Sequence, residues 1–552
     1  MLNHTFKSIL ILGLFAALMA NDCFAQLITQ SEARRVGLTR KWNAQVVMNS
    51  SQSTLKQILL DHGTLFSLTD TGQLQAFDAE TGASLWMVQV GRRDLLVSEM
   101  DASKNYVAVM NGSLIYVYNR FNGKLLWTGE ATIAPGAGPA VSESRVYIPG
   151  LNGRVQSFPL RLISDALKEF GKDEKTLSPE EREQLEIERR DSLRIDDQYV
   201  DPLNVQSIGR IYQQPVISRD DVKEGLDNIV WVTDNGTMYL GSIRTPVSAN
   251  DFEIKYHVPT EKDISSRPTF IEYDRTMPDQ TGVIYMGSRD GFVYSIREID
   301  GKQLWTFPCN EPIVENLAVV SRMYLNEKKK EVYDRRVYIP TYQRGMFCLD
   351  AIKGDTVLWQ TPGIKRFLAQ SNSRVYTVDS RNNLTVLSLE SGQILGSMPL
   401  KDNKIQYLNE ITDRIYVATD TGMIQCLAQI DQDKPIYFRQ DPEPKKEREI
   451  DLGGDEEPAK AKKPEKSDAD EEQPGVGDDD FGNDDNNDDG FGGGDDAFGD
   501  GDNAFGDDAN DGGAKDDDFG SGDDFGDDKP ADDGGAADGG DAADDGALDD
   551  PF

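Results

Sequence analysis

Between about residue 40 and residue 430, short apolar runs alternate with polar turns in one recurring order. A run is followed by a turn ending in Gly, a second run, an Asp/Asn/Ser-Gly turn, and then Leu-Trp. The pattern is fullest at 64–86 (TLFSLTDTGQLQAFDAETGASLW) and returns at 106–127 (YVAVMNGSLIYVYNRFNGKLLW) and 283–305 (VIYMGSRDGFVYSIREIDGKQLW). Runs such as Val283-Ile284-Tyr285-Met286 and Phe292-Val293-Tyr294 are β-branched and aromatic, which suits a pleated, half-buried strand. Asn235-Gly236 and Asp290-Gly291 supply the positive φ that a tight hairpin turn requires. A four-strand unit repeating at about 40 residues predicts an all-β fold, a β-propeller.

The first turn of each unit falls at Gly72, Gly112, Gly153, Gly236, Gly291, Gly345, Asn383 and Gly422, which predicts eight blades. The long interval from Gly153 to Gly236 contains 161–205, a charged segment that reads as helix. Ser178-Pro179-Glu180-Glu181 has the form of a capping box with proline at the first helical position, and Arg189 and Arg190 suit a helix C-terminus. This segment is expected to be a helical insertion between blades 3 and 4. Without it, residues 37–430 divide into about 44 per blade, the usual propeller length.

Trp86, Trp127, Trp305 and Trp359 each lie 14 or 15 residues after their blade's first turn residue, at the start of a fourth strand. A repeated ring at one position packs between blades, and Trp231, on an inner run, belongs to the core. Trp42 has the same local setting but precedes every complete unit. The segment Arg40 to Val47 is therefore expected to close the ring by pairing with the last blade, around Arg414 to Ile430.

Outside the repeats, residues 1–25 read as a secretory signal: Lys7, an apolar run from Ile9 to Ala20, and a small-residue site ending Cys23-Phe24-Ala25. The apolar run is too short to span a bilayer, and nothing comparable recurs. Asn21-Asp22 ahead of Cys23 is unlike a lipidation site. Cys309, Cys348 and Cys426 read as separate buried thiols. The propeller unit is assigned to 26–438 and a tail to 439–552. From 451 to 552 the chain holds 38 Asp/Glu against 6 Lys and no Arg, a net −32 of the whole chain's −38. With Gly and Asp throughout, that tail is expected to remain disordered. Six Phe-Gly dipeptides punctuate it. They and its carboxylates offer weak sticker motifs or low-affinity Ca²⁺ sites, with a passive, self-repelling bristle as the preferred reading.

The repeat Asp-x-x-Thr/Lys-Gly ahead of Trp, best at Phe77-Asp78-Ala79-Glu80-Thr81-Gly82-Ala83-Ser84-Leu85-Trp86, resembles the quinoprotein-type repeat of pyrroloquinoline quinone (PQQ) propellers. The resemblance runs from Trp42 to about Ile430. It implies one of two functions: a quinone-dependent dehydrogenase, or a non-enzymatic scaffold of the BamB kind that serves outer-membrane assembly. An enzyme of this family would need a metal held by Glu, Asn and Asp beside the quinone, a catalytic Asp, and often a Cys-Cys pair. No adjacent cysteines occur, and the mature chain has only His62 and His257. Asp78 and Asp350 share one repeat position, where a turn-forming role is expected. No catalytic, cofactor-binding or metal-ligating residues are assigned, and no cofactor.

The resemblance to BamB lacks its lipobox and includes neither the insertion nor the tail. The expected function is thus an exported, non-enzymatic scaffold of the periplasm or cell envelope. It would bind a protein or envelope polymer through its loops and insertion, with nucleic acid excluded as a partner. The insertion between Arg161 and Gln206 is expected to contact that partner, because Leu167, Phe170, Leu185 and Ile187 must pack on the propeller or on something else.

Overall fold

The computed structural model describes residues 27–161, 178–196, 201–221, 226–244, 252–272, 277, 281–325 and 331–438. The chain divides into two units, Met1–Leu452 and Gly453–Phe552, and all described residues lie in the first. Residues 1–25, read from the sequence as a signal, Leu167, Phe170 and the acidic tail lie outside them.

Eight four-stranded antiparallel sheets form the blades of a propeller. Blade 1 runs through Leu55–Asp61, Thr64–Thr69, Gln73–Asp78 and Ser84–Gln89, innermost strand first. Blades 2 to 7 occupy 101–130, 140–206, 216–259, 269–308, 318–361 and 364–399. Turns joining strands 1–2 and 3–4 of a blade fall on one face, termed the lower face. Turns joining strands 2–3 fall on the upper face with the loops between blades.

Blade 8 takes three strands from 405–429 and its outer strand, Leu38–Gln45, from the N-terminal segment. Leu38 pairs with Gln429, Trp42 with Cys426 and Gln45 with Met423, across a bulge between Arg40 and Trp42. The expected ring closure is therefore present.

Fourth-strand tryptophans pack between blades by one repeated contact. The indole Nε1–H of Trp42 donates to Ala79 O of the next blade (2.9 Å), and Trp86, Trp305 and Trp359 donate likewise to Arg120 O, Ala351 O and Leu389 O (2.7, 3.0 and 2.9 Å). Each ring covers a glycine three residues beyond that carbonyl: Gly82, Gly123, Gly354 or Gly392. Blade 4 substitutes Tyr256, whose hydroxyl donates to Glu298 O (2.7 Å) while its ring covers Gly301. Trp127 instead tilts against Phe158 of blade 3, ring centroids 5.8 Å apart. Blade 7 has Gly396 where the ring would stand. Val36, just after helix α1 (Gln30–Arg35), packs against Gly396 within the seam core of Ala33, Leu38, Leu368 and Met398. Trp231 is fully buried, stacked on Tyr239 at 5.6 Å, and belongs to the core as expected.

Two expectations need correction. The helical insertion does not separate blades 3 and 4. It joins the third strand of blade 3, Arg154–Pro159, to that blade's fourth strand, Leu203–Gln206, so the end of the segment assigned as 161–205 is itself sheet. With four residues and no Trp, that strand carries too short an alternation to be distinguished from loop. In blade 7 the positive φ of the first turn belongs to Asn382 (+60°) and not to Asn383, which opens the third strand. Both are Asn, and the Asp379 carboxylate accepts from the Asn383 N–H (2.8 Å) and Nδ2 (2.9 Å), fixing the turn one residue earlier.

Helix α2 (Pro179–Asp191) begins at the proline and ends on Arg189 and Arg190 as read from the sequence. Cys309, Cys348 and Cys426 are free and buried. Burial pushes the Cys309 and Cys348 thiols up to about 12. Among the described residues no helix is long and apolar enough to cross a membrane.

Candidate functional site: the axial channel and the insertion groove

The innermost strands surround an axial cavity of about 510 Å³. Its polar side chains tie blade to blade. Gln57 Oε1 of blade 1 accepts from the Met100 N–H ahead of blade 2 (2.7 Å), and Asp101 Oδ2 of blade 2 accepts from the Val141 N–H of blade 3 (2.9 Å). Gln214, outside the cavity lining, adds a further tie through its Nε2, which donates to Pro139 O (2.7 Å). Glu410 Oε1 of blade 8 accepts from the Thr269 hydroxyl of blade 5 (2.9 Å) and the Val319 N–H of blade 6 (2.6 Å). Burial pushes the Asp101 carboxyl up to about 6, with Arg267 opposing. Burial likewise pulls the Lys56 ammonium down while it donates to Val97 O.

These residues do not fit the metal-and-quinone set that the family resemblance implies. Asp61, Asp101 and Glu410 stand on three blades, and each is bonded already, Asp61 to the Arg120 guanidinium. No group of three or more His, Cys, Asp or Glu side chains able to hold a metal occurs among the described residues. His62 and His257 are on blades 1 and 4, the first against Asp61 Oδ2 (2.7 Å) and the second beside the Tyr239 ring at 5.9 Å. Asp78 and Asp350 shape turns, as expected: Asp78 Oδ1 accepts from the Glu80 and Thr81 N–H groups (3.1 and 2.8 Å), Asp350 Oδ1 from those of Ile352 and Lys353 (both 3.0 Å).

The second cavity, about 680 Å³, lies on the lower face between the turns of blades 1 and 2, helix α2 and the segment after the last strand. Helix α2 is held there by its C-terminal end. Asn119 Nδ2 of blade 2 donates to Arg190 O (2.6 Å), Asn122 Nδ2 to Asp191 Oδ1 (3.1 Å), and the Arg190 guanidinium lies 4.7 Å from the centre of the Phe121 ring. Of the apolar residues that sequence assigned to contacts, Leu185 is buried and Ile187 is exposed. The opposite wall is Tyr437, bridged to Thr412. Its neighbours fix it: the Ile436 N–H donates to Asp413 Oδ1 (3.0 Å), and the Phe438 N–H to Ile411 O (2.8 Å). Beneath the floor the Arg120 side chain is buried, bonded to Asp61 and to Ser103 O (2.6 Å).

Sequence reasoning found the insertion but missed Lys104, Arg120 and Tyr437. Arg120 follows Asn119 at the point where blade 1 reads Asp78-Ala79, and that departure from the repeat is the one local signal it left.

No curated protein matches the sequence. The family model described as outer membrane protein assembly factor BamB matches residues 35–161 and 280–398. These are the closing strand with blades 1, 2 and most of 3, and then blades 5 to 7. Among solved structures, BamB from Moraxella catarrhalis is similar at 12% identity and a TM-score of 0.46, covering 71% of this chain and 97% of that one. The computationally designed Ika8 protein is similar at 11% and 0.42, covering 69% and 98%. Quinohemoprotein alcohol dehydrogenase from Comamonas testosteroni is similar at 11% and 0.41, covering 72% and 78%. The sequence match, together with eight four-stranded sheets closed by an N-terminal strand, supports a PQQ-like β-propeller family for this chain.

Proposed function

We propose that the chain is an exported, non-enzymatic propeller scaffold of the cell envelope that binds a protein or envelope polymer through its loops and its insertion. One observation carries the reading: an inserted helix unnecessary for closing the ring is fastened to blade 2 so that it walls a groove of about 680 Å³. The channel supports it from the other side, since its carboxylates and amides are engaged in holding blades together. The matching family model describes an outer membrane assembly factor, a role of the scaffold type.

The test is affinity purification from envelope extract with the intact protein and with a form lacking residues 162–193. The Asp196 N–H donates to Arg161 O (2.9 Å), so the two ends of the insertion meet and a short Gly/Ser bridge can span them while the outer strand of blade 3 stays in place. The shortened form should melt like the parent and lose a partner that the parent retains. An unchanged set of partners would refute the reading. So would stoichiometric quinone uptake with dye-linked oxidation of alcohols or aldoses after reconstitution with PQQ and Ca²⁺.

A further inference from the structure

We infer that the groove between helix α2 and blades 1 and 2 is a binding site for an uncharged oligosaccharide. The inference rests on the scaffold reading and names the chemistry of what it holds. Charged side chains of both signs line the groove: Lys104, Arg120, Arg189 and Arg190 beside Asp78, Glu80 and Glu186. Arg120 is already engaged with Asp61.

This mixture sorts ligands by class. A polyanion meets the carboxylates and a polycation meets the cations, and in either case like charges are brought together at a partly desolvated surface. The groove also has apolar surface, from Phe121, Leu193 and Tyr437, but charged groups interrupt it, Arg190 lying over the Phe121 ring. A sugar hydroxyl donates one hydrogen bond and accepts others. Adjacent hydroxyls can therefore give protons to the carboxylates and take them from guanidinium and ammonium groups in the same site, leaving no charge uncompensated. Such charge-assisted bonds are stronger than neutral ones, and the planar fork of Arg matches a pair of neighbouring oxygens.

The walls are positioned in advance. Asp78 is fixed by the turn N–H groups, Glu80 lies 3.4 Å from the Arg414 guanidinium, and Glu186 pairs with Arg190. Lys104 is exposed and has no hydrogen-bond or ion-pair partner among the described residues, so its ammonium is available to a ligand. The volume, about 680 Å³, falls within the range of small-ligand sites.

The experiment is isothermal titration of the full chain at about 0.15 M salt. Its probes are two neutral tetrasaccharides, N-acetylglucosamine tetramer and maltotetraose, and one anionic tetramer, tetragalacturonate. At least one neutral probe should bind with Kd below about 1 mM, and tetragalacturonate at least about tenfold more weakly. Lys104→Ala and Glu186→Gln, both at exposed positions, should each weaken the neutral probe by about threefold or more with unchanged melting. The inference is overturned if neither neutral probe binds, if the anionic one binds best, or if both variants bind like the parent. Partner capture from envelope extract is run in parallel. Insertion-dependent capture without sugar binding would remove the saccharide assignment and leave the scaffold reading intact. Sugar binding without any captured partner would leave the saccharide assignment intact and remove the protein partner from the scaffold reading.

Discussion

Two glycines of blade 1 separate backbone strain from packing. Gly63 and Gly82 have nearly equal positive φ, +73° and +72°, so an added Cβ meets the same local penalty at both. At Gly63 that Cβ would meet nothing within 4 Å; at Gly82 it would sit 2.5 Å from the Trp42 ring. Gly63→Ala should therefore cost about 1 kcal/mol, the conformational term alone. Gly82→Ala should cost about 3 kcal/mol, because the indole must shift away and its bond to Ala79 O is strained. Chemical denaturation of the two variants measures the difference, and equal losses would show that the seam accommodates a methyl group. The tryptophan position was legible in the sequence because the same residue recurs at the same spacing in several blades. Arg120 and Tyr437 were not, since their roles arise from neighbours 59 and 25 residues away, Asp61 and Thr412, and no local pattern encodes that proximity.

Asp101 gives a second test at this scale. Its carboxyl is raised to about 6 by burial, so between the unfolded value near 3.8 and 6 the folded chain binds more protons than the unfolded one. Stability supplied by protonated Asp101 is thus full below the unfolded value and falls as pH rises through about 6. Asp101→Asn should remove that slope and destabilise by less at pH 7 than at pH 4, a difference on the order of 2 kcal/mol. Denaturation midpoints across this range decide it, and parallel curves for parent and variant would refute it.

Among the elements, helix α1 shows how a short segment substitutes for a missing ring. Six residues are too few to be stable alone, and two features hold the helix in place. Val36 fills the space over Gly396, and a capping box links Thr29 and Glu32, with Lys401 3.0 Å from the Glu32 carboxylate. The Thr29 N–H bond, with Lys401 assisting, holds the Glu32 carboxyl down to about 2. A lowered carboxylate contributes stability above its unfolded value, 4.5, and loses it as pH falls toward 2. Glu32→Gln should cost no more than about 1 kcal/mol at neutral pH, since the group is partly exposed, and should flatten the acid limb of the stability curve. An acid limb identical to the parent's would show that α1 is held by packing alone. This clasp escaped sequence reading, which assigned no role to residues 30–35. The blade 3 insertion was found but placed one strand too late, because a four-residue outer strand offers only two apolar side chains to recognise.

At the scale of the whole molecule, the ring is held shut where its ends meet, and the closing contacts come from residues far apart in sequence. Outer strand Leu38–Gln45 pairs with Met423–Gln429, and the Arg414 guanidinium, almost wholly buried, spans Asp413, Glu80 of blade 1 and Asp433 O. Burial raises both carboxyls, and the shared cation opposes it, so removing Arg414 would strand two acidic groups at the seam. Here the N-terminal strand pairs the last blade's third strand, whose edge would otherwise be left unpaired. Deleting residues 27–47 should therefore lower the melting temperature of the whole propeller in one cooperative transition instead of fraying blade 8 alone. Trp42→Ala, which leaves the strand but removes its ring, should give a smaller shift of roughly 5 °C, from a loss of about 3–5 kcal/mol spread over a large domain. Differential scanning calorimetry distinguishes the outcomes. If the deletion melts like the parent, the ring closes without its N-terminal strand; if two transitions appear, blade 8 unfolds independently and the seam does not couple the ring.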